Sequence, residues 1–182
     1  ILHQPAGDYL AGYEKLEIAY KEGKFRSIGI SNFDENEIEK LLANCEIVPS
    51  LIQVECHPYF PQTELKKLLA QHDIALQAWY PLGGRGNSSI MNEPVVRDLA
   101  VKYGKTPAQI IMRWHIQEGN IVIPGSKNPT HIADNIDVFD FELTDSDMTA
   151  MATLDRGKPF YERTHKKLAQ YAAWHPDVEN QK

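Results

Sequence analysis

The sequence predicts an α/β fold, namely the C-terminal part of a (β/α)8 TIM barrel with about five of its eight βα units. Short β-rich runs at residues 27–30, 51–54 and 74–78 begin about 23 to 24 residues apart, which is the length of one βα unit. Helical periodicity separates them, and strict alternation of strand and helix indicates a parallel sheet. The alternative is a small doubly wound sheet, because a complete barrel needs about 250 residues and the chain has 182.

The helices of the first half are each predicted from an apolar stripe and an end signal. Gly23 follows the first stripe and ends its helix, since glycine readily adopts the backbone conformation that closes a helix. Asp34 and Glu37 are spaced as the N-cap and the third residue of the second helix, and Thr63 precedes the third stripe. The stripes are Tyr13, Leu16 and Tyr20, then Ile38, Leu41 and Leu42, then Leu65, Leu68 and Leu69.

Two helices share one interval in the second half, so one of them is an insertion in the regular alternation. Thr106, Pro107 and Gln109 predict where the second of these helices starts, because they combine an N-cap, a proline at the first helical position and a capping-box residue. The predicted elements of this half are helices at 94–103, 107–117 and 129–139, a strand at 121–123, and a helix opened by Thr144 and Asp147.

Residues 1–182 are predicted to form a single partial barrel domain that ends in a polar and aromatic tail, 157–182. The two apolar residues at positions 1–2 look like the last part of a strand, and no initiator Met precedes them. We therefore expect a fragment of a longer protein. With this truncated strand included, the predicted fold has five strands and seven helices, and the tail contains no regular strand.

Composition and charge argue against several classes of protein. The chain carries 19 Lys and Arg against 25 Asp and Glu, a formal net charge of -6, without a basic run dense enough for nucleic acid. It has no apolar stretch of about 18 residues and no secretory leader, so we expect no membrane partner and a cytoplasmic location. Cys45 and Cys56 lack a C-x-x-C spacing or a nearby histidine pair, which argues against a metal site.

Two loops after consecutive predicted strands are rich in glycine, hydroxyl groups and positive charge. Residues 81–89 contain three Gly, an Arg and two Ser, and residues 125–129 lead directly into a helix N-terminus. Glycines let backbone N–H groups approach an anion, and a helix N-terminus adds partial positive charge. Each loop alone could equally be a plain surface turn. Together they favour a ligand that carries phosphate, because the loops after the last two strands of a TIM barrel are the usual phosphate site.

Five motifs of the sequence resemble those of the aldo-keto reductases, in order and in spacing, over essentially the whole chain. They are His3-Gln4-Pro5, the run RSIGISNF at 26–33, Gln53 within LIQV, Trp79 to Gly83, and Ile123 through Asn135. The similarity is to the 2,5-diketo-gluconate-reductase-like members. It implies a (β/α)8 barrel that reduces an aldehyde or ketone to an alcohol with NADPH, or with NADH, and without a metal. The implied partner is a small carbonyl substrate, and the implied full-length protein is a monomer.

The resemblance assigns roles to residues at the strand ends. It implies that His3 is the catalytic histidine, which orients the substrate carbonyl. Ser31, Asn32 and Gln53 are implied to hydrogen-bond the nicotinamide carboxamide, and Trp79 to stack on the nicotinamide ring. The other implied cofactor contacts are Tyr80 next to Trp79, Leu82 and Gly83 at the pyrophosphate, Ser126 and Lys127 at the adenosine phosphate, His131 in the same region, and Asn135 at the adenine.

The sequence departs from the family pattern at several positions. Gly125 stands where a lysine is usual, His131 where an arginine is usual, and Tyr80 where a small residue is common. Lys127 supplies only a point charge in compensation, so the preference for NADPH over NADH is open. The family's catalytic Tyr, Asp and Lys have no counterpart in a matching motif. The alternative is therefore a non-catalytic half-barrel that binds a nicotinamide cofactor, or a pseudoenzyme that needs a partner.

Overall fold

The computed structural model of the protein describes residues 1–84 and 89–174, which form an open four-stranded parallel sheet flanked by helices. The strands lie across the sheet in chain order, and each pairs in parallel with its neighbour, as the alternation of strand and helix predicts. They are β1 (Gly29–Ser31), β2 (Leu51–Glu55), β3 (Ala75–Trp79) and β4 (Ile121–Val122). All four carboxyl ends therefore lie at one edge of the sheet, where the ligand sites of α/β folds are found.

The described residues also contain eight α-helices and one short 3₁₀-helix. They are α1 (Tyr9–Lys21), α2 (Glu35–Leu42), α3 (Thr63–Ala70), the 3₁₀-helix (Ile90–Asn92), α4 (Pro94–Tyr103), α5 (Pro107–Gln117), α6 (Pro129–Ile136), α7 (Asp145–Ala152) and α8 (His165–Ala172). The capping signals at Asp34, Thr106 and Thr144 are confirmed, because each forms a complete capping box. Over residues 1–84 and 89–174, no helix is long and apolar enough to cross a membrane.

The first predicted strand is reduced to a single contact. Leu2 forms an isolated parallel bridge with Ile30, and its N–H donates to the carbonyl of Gly29 at 2.9 Å. Of the truncated strand predicted at residues 1–2, the structure shows this one-residue parallel bridge to β1 and no longer strand. The bridge brings His3 to the carboxyl end of β1.

Two helices differ from their predicted extent. α6 ends at Ile136 rather than at residue 139, because the backbone leaves helical angles at Asp137. The tail contains the unpredicted helix α8, which Thr164 caps by accepting the N–H of Lys167. No residue of α8 is buried.

The apolar core lies in two clusters. The first packs α1, α2 and α3 against β1 to β3 and includes Ile30, Ile52 and Leu76. The second joins α4, α5 and α7 and includes Ile110 and Met151. The first cluster therefore fixes the strands whose ends carry the predicted site, and the second supports the loops that follow β3 and β4.

The side of the sheet beyond β4 is apolar and exposed. Ile121 of β4 and Ile123 just after it are both exposed, and α6 contains no buried residue. Ile136 is 70% exposed and Phe139 is 65% exposed. We call these residues, together with Ile132, the β4 edge. Most of them line an open groove of about 660 Å³.

Candidate functional site

Residues from four separate segments meet at the carboxyl ends of the strands. His3, Asn32, Gln53 and Trp79 line one cavity of about 330 Å³, which we call the strand-end cavity. The resemblance gives each of these four residues a role at the reacting end of the cofactor, and the structure brings them together. The remaining lining residues are Gln4, Tyr80, Tyr161 and Tyr171.

Asn32 connects the parts of the strand-end cavity. It follows β1 with a φ of 63°, a left-handed conformation that asparagine adopts more readily than most residues. Its Oδ1 accepts the Trp79 Nε1–H at 3.0 Å, and its Nδ2 donates to the His3 carbonyl at 3.1 Å and to Ser31 Oγ at 3.0 Å. One turn therefore fixes both the indole ring and the backbone of the candidate catalytic histidine.

Of Ser31 and Gln53, only Gln53 lines the strand-end cavity. Ser31 is buried at the end of β1 and is not among the residues that line the cavity. Gln53 does line it, and its Nε2 donates to Gln77 Oε1 at 2.6 Å. A glutamine amide has two N–H groups and a carbonyl oxygen, so this bond leaves Gln53 further hydrogen-bonding capacity. We infer that Ser31 supports Asn32, whereas Gln53 can meet a ligand directly.

Aromatic rings flank Trp79 in the strand-end cavity. The centroid of the Tyr80 ring lies 4.3 Å from that of Trp79, and the Tyr161 ring lies edge-on at 5.7 Å. Tyr80 has a left-handed φ of 54°, so the chain turns sharply where β3 ends. Burial, together with the Tyr171 hydroxyl, raises the pKa of Tyr161 to about 12, which keeps its phenol protonated. These rings give the cavity the flat, uncharged walls that suit an aromatic ligand.

A second cavity of about 890 Å³, the phosphate-side cavity, adjoins the first. The predicted site residues that line it are Tyr80, Leu82, Gly83, Ser126, His131 and Asn135. Tyr80 lines both cavities. Lys127 is not among the lining residues, and residues 85–88 of the glycine-rich loop predicted at 81–89 lie outside the described residues.

The far wall of the phosphate-side cavity includes the start of α6. Ser126 Oγ accepts the N–H of Asn128 at 3.1 Å, and Asn128 Oδ1 caps α6 by accepting the N–H of Thr130 at 2.9 Å. His131, Asp134 and Asn135 of α6 line the cavity. Arg97 of α4 also lines the cavity. The sequence gives no signal for Arg97, because no motif contains it and only the packing of α4 places it there.

His115 supports the loop between the two cavities and also has no sequence signal. It is completely buried in α5, its Nε2 lies 3.2 Å from the Pro81 carbonyl oxygen, and its Nδ1 lies 3.1 Å from Asn120 Nδ2. Because a carbonyl only accepts, the proton is on Nε2, and Nδ1 accepts from Asn120. Burial lowers the pKa of His115 to about 3, so the imidazole that holds this loop is neutral.

The stability of the protein is expected to decrease below pH 6.5 because of His115. The imidazole of the unfolded chain binds a proton near pH 6.5, whereas the buried imidazole binds one only near pH 3. Between these values the unfolded chain binds more protons, so acid favours unfolding. From pH 7.5 to pH 5, this group should reduce the free energy of unfolding by about 2 kcal/mol. Urea unfolding at the two pH values measures the change.

Two glutamine variants separate this effect from that of the other histidines. His165 is exposed at the start of α8, so His165→Gln should keep the pH dependence of the wild type. His115→Gln should lose about 2 kcal/mol of that dependence, because it removes the depressed titration. If His115→Gln and the wild type showed the same pH dependence, the assignment would be wrong.

Comparisons with known proteins show the family of this chain. The family described as "Aldo/keto reductase family" matches residues 2–156. An aldo-keto reductase of Mycolicibacterium smegmatis is 50% identical over 137 residues, which are 75% of this chain and 49% of that protein. The methylglyoxal reductase DkgA of Escherichia coli (strain K12) is 41% identical over 155 residues, which are 85% of this chain and 56% of that protein. The chain therefore spans about half the length of these curated relatives.

A solved structure shares the fold. The crystal structure of a Gox0644 mutant in complex with NADPH matches with a TM-score of 0.77 and 38% identity, covering 81% of this chain and 53% of that one. The agreement confirms the predicted fold class, a partial (β/α)8 barrel. The family match over residues 2–156 shows that this chain belongs to the aldo-keto reductase family.

Proposed function

We propose that this chain forms the nicotinamide-cofactor site of an NADPH-dependent aldo-keto reductase, and that the full-length protein reduces an aldehyde or ketone to an alcohol. One observation carries the proposal. All of the predicted site residues except Ser31 and Lys127 line two cavities that share Tyr80 as a lining residue. The residues expected at the nicotinamide line the strand-end cavity, and those expected at the pyrophosphate and the adenosine line the phosphate-side cavity.

The strand-end cavity suits the reacting end of the cofactor. NADPH supplies a hydride when it is bound. Trp79, which Asn32 holds in place, offers a flat aromatic surface, and Gln53 offers amide groups that complement a carboxamide. His3 lines the same cavity, where its imidazole can donate to the substrate carbonyl and stabilise the negative charge that develops on the oxygen.

The phosphate-side cavity suits the phosphate groups of the cofactor. Gly83 has a φ of 100°, a conformation that is readily available only to glycine. Arg97 and His131 bring cationic or potentially cationic groups to the lining, while Asp134 adds a carboxylate. A guanidinium can bind a phosphate through two parallel N–H groups. Arg97 can therefore take over the role that the family's usual arginine loses at His131, which supports NADPH over NADH.

Fluorescence titration of the 182-residue chain with NADPH and with NADH tests the cofactor site. We expect saturable quenching of tryptophan emission by both, with a dissociation constant about tenfold lower for NADPH because of its additional phosphate. Arg97→Gln should remove this preference and leave NADH affinity unchanged. Arg26→Gln is the matched control, because Arg26 is exposed and lies outside both cavities.

Each outcome of this titration has a defined meaning. An absence of saturable binding would overturn the cofactor site. Tighter binding of NADH would overturn the proposed preference, and an unchanged preference in Arg97→Gln would remove Arg97 from the site. The reductase activity itself is tested by measuring the rate at which the full-length protein oxidises NADPH in the presence of a panel of aldehydes and ketones.

A non-catalytic half-barrel that binds the cofactor and closes its sheet against a partner is the second candidate. The exposed β4 edge favours it, because Ile136 and Phe139 remain open to solvent beside the last strand of the sheet. Cofactor binding without turnover, in a dimer of defined mass by light scattering, would support this candidate. Turnover by the full-length protein would exclude it.

We further propose the cellular setting and the substrate class. The similarity to a methylglyoxal reductase supports a small carbonyl compound as the substrate. The full-length protein is proposed to be a cytoplasmic monomer. Within it, residues 1–182 contribute one partial barrel domain with the tail 157–182.

A further inference from the structure

Glu55 carries a buried carboxylate that the proposed cofactor chemistry does not use. It is the last residue of β2 and is 5% exposed. Its Oε1 accepts the N–H of Phe160 at 2.6 Å, and its Oε2 accepts the N–H of Tyr161 at 3.0 Å. The Nε2 of His57 lies 3.0 Å from Oε1. Two backbone amides and one imidazole therefore bind a negative charge that has been withdrawn from water.

His57 supports the Glu55 carboxylate through its Nε2. Its side chain is fully buried, and Nδ1 has no hydrogen-bond partner among the described residues. A proton on Nε2 therefore donates to Glu55 and leaves Nδ1 as an unpaired acceptor rather than a buried, unpaired N–H. The imidazole ring also packs against Phe160, with 4.7 Å between ring centroids. His57 thus orients Glu55 and contacts the segment that Glu55 binds.

Residues 159–163, which we call the strap, pass over the carboxyl ends of the strands. Phe160 packs against Gly84, where an added Cβ would lie 3.1 Å from the Phe160 Cβ. Tyr161 lies edge-on to Trp79 and lines the strand-end cavity. The strap lies beyond residue 156, where the family match ends, so the match carries no information about it.

The other end of the strap is tied to the start of α2. Arg163 donates to the Asn32 carbonyl at 3.2 Å and to Asp34 at 3.4 Å, and it also pairs with Glu37. The Arg163 side chain is partly exposed, and ion pairs at such sites contribute little individually. The buried bonds at Glu55 should therefore dominate the attachment of the strap.

We propose that Glu55 is a positioning residue that holds the strap closed over the strand-end cavity and thereby fixes Tyr161 as a wall beside Trp79. The attachment of the strap is a property of this chain alone. Its consequence for the cofactor rests on the proposed function, because preorganised walls lower the ordering cost of binding.

Amide hydrogen exchange in the wild-type chain without cofactor is the first test. The amides of Phe160 and Tyr161 lie in a loop, so only their bonds to Glu55 should protect them. We expect both to exchange at least about tenfold more slowly than the amide of Lys158, an exposed residue just before the strap. Exchange of both at the rate of Lys158 would overturn the proposal, and no variant is needed for this result.

Glu55→Gln is the second test, because glutamine keeps the size of the side chain but replaces one acceptor oxygen with an NH2 group. Because one acceptor oxygen remains, exchange of at least one of the two strap amides, Phe160 or Tyr161, should become at least about tenfold faster, while exchange in β2 stays unchanged. A general loss of stability would instead accelerate exchange in β2 as well. Glu64→Gln is the matched control, since the Glu64 carboxylate is exposed and pairs only locally with Lys67. Unchanged exchange at the two strap amides in Glu55→Gln would overturn the proposal.

Cofactor titration separates this proposal from the proposed function. In Glu55→Gln the dissociation constant for NADPH should rise by about fivefold, because Tyr161 is no longer held beside Trp79. Protected strap amides in a chain that does not bind NADPH would overturn only the proposed function. Normal NADPH affinity in Glu55→Gln, with the strap amides exposed, would overturn the positioning role.

Discussion

Asn32→Ala is expected to weaken NADPH binding by about a hundredfold. The substitution removes the acceptor of the Trp79 indole N–H and the donors to the His3 carbonyl and to Ser31 Oγ. Loss of two or three such bonds in a partly buried site costs about 3 kcal/mol, and each 1.4 kcal/mol corresponds to about tenfold in affinity. Alanine also tolerates the φ of 63° less well than asparagine does. Calorimetric titration with NADPH measures the loss.

Two variants separate the contributions to this effect. Asn32→Gly accepts the left-handed backbone at no cost but lacks the amide, so it should show most of the loss in affinity. Asn44→Ala is the matched control, because Asn44 is exposed just after α2 and its amide donates to the nearby carbonyl of Lys40. If Asn32→Gly bound NADPH as tightly as the wild type, the amide of Asn32 would have no part in organising the site.

Gly29→Ala is expected to destabilise the folded protein by about 2 to 4 kcal/mol. Gly29 pairs with Leu51 across β1 and β2, and an added Cβ would lie 2.6 Å from the Leu51 carbonyl oxygen. A contact this short with backbone forces the two strands apart. Strain at this pair should also disturb Ser31 and Asn32, which follow two and three residues later. Urea unfolding, monitored by circular dichroism, measures the loss.

Gly12→Ala is the matched control for this effect. Gly12 lies inside α1, and an added Cβ would meet Leu2 at 3.5 Å, an ordinary van der Waals distance. Because alanine is the better helix former, this variant should be more stable by up to about 1 kcal/mol. We therefore expect Gly29→Ala to lower the free energy of unfolding and Gly12→Ala to raise it. A neutral Gly29→Ala variant would show that β1 and β2 can separate without cost.

The parts of the structure that could be predicted from sequence are those encoded by neighbouring residues. Asp34 and Glu37, three residues apart, predict the start of α2 because a capping box is a local arrangement. The strand ends that carry Asn32 and Trp79 follow from the alternation of β-rich and helical runs. The polar groups of the site thus follow from local pattern together with the family resemblance.

The remaining parts depend on contacts between distant residues. The three-way role of Asn32 requires a left-handed turn and a partner 47 residues away, and neither leaves a local signature. His115 resembles any other helical residue until burial and the Pro81 carbonyl define its state. Glu55 would pass for the polar end of a strand, because its partners in the strap follow about a hundred residues later. Such residues become identifiable only when the packing is known.

The attachment of the strap has a consequence for how the protein is made. Glu55 and Phe160 are 105 residues apart, and Asn32 and Arg163 are 131 residues apart, so both contacts close very long loops. Loops of this length are costly to close and form late in folding. During synthesis, β1 to β3 and their helices emerge from the ribosome and can begin to pack well before the strap has been translated. The nascent chain therefore exposes Trp79 and its neighbours until the strap has been translated, and chaperones that bind aromatic surface have their best access during that interval.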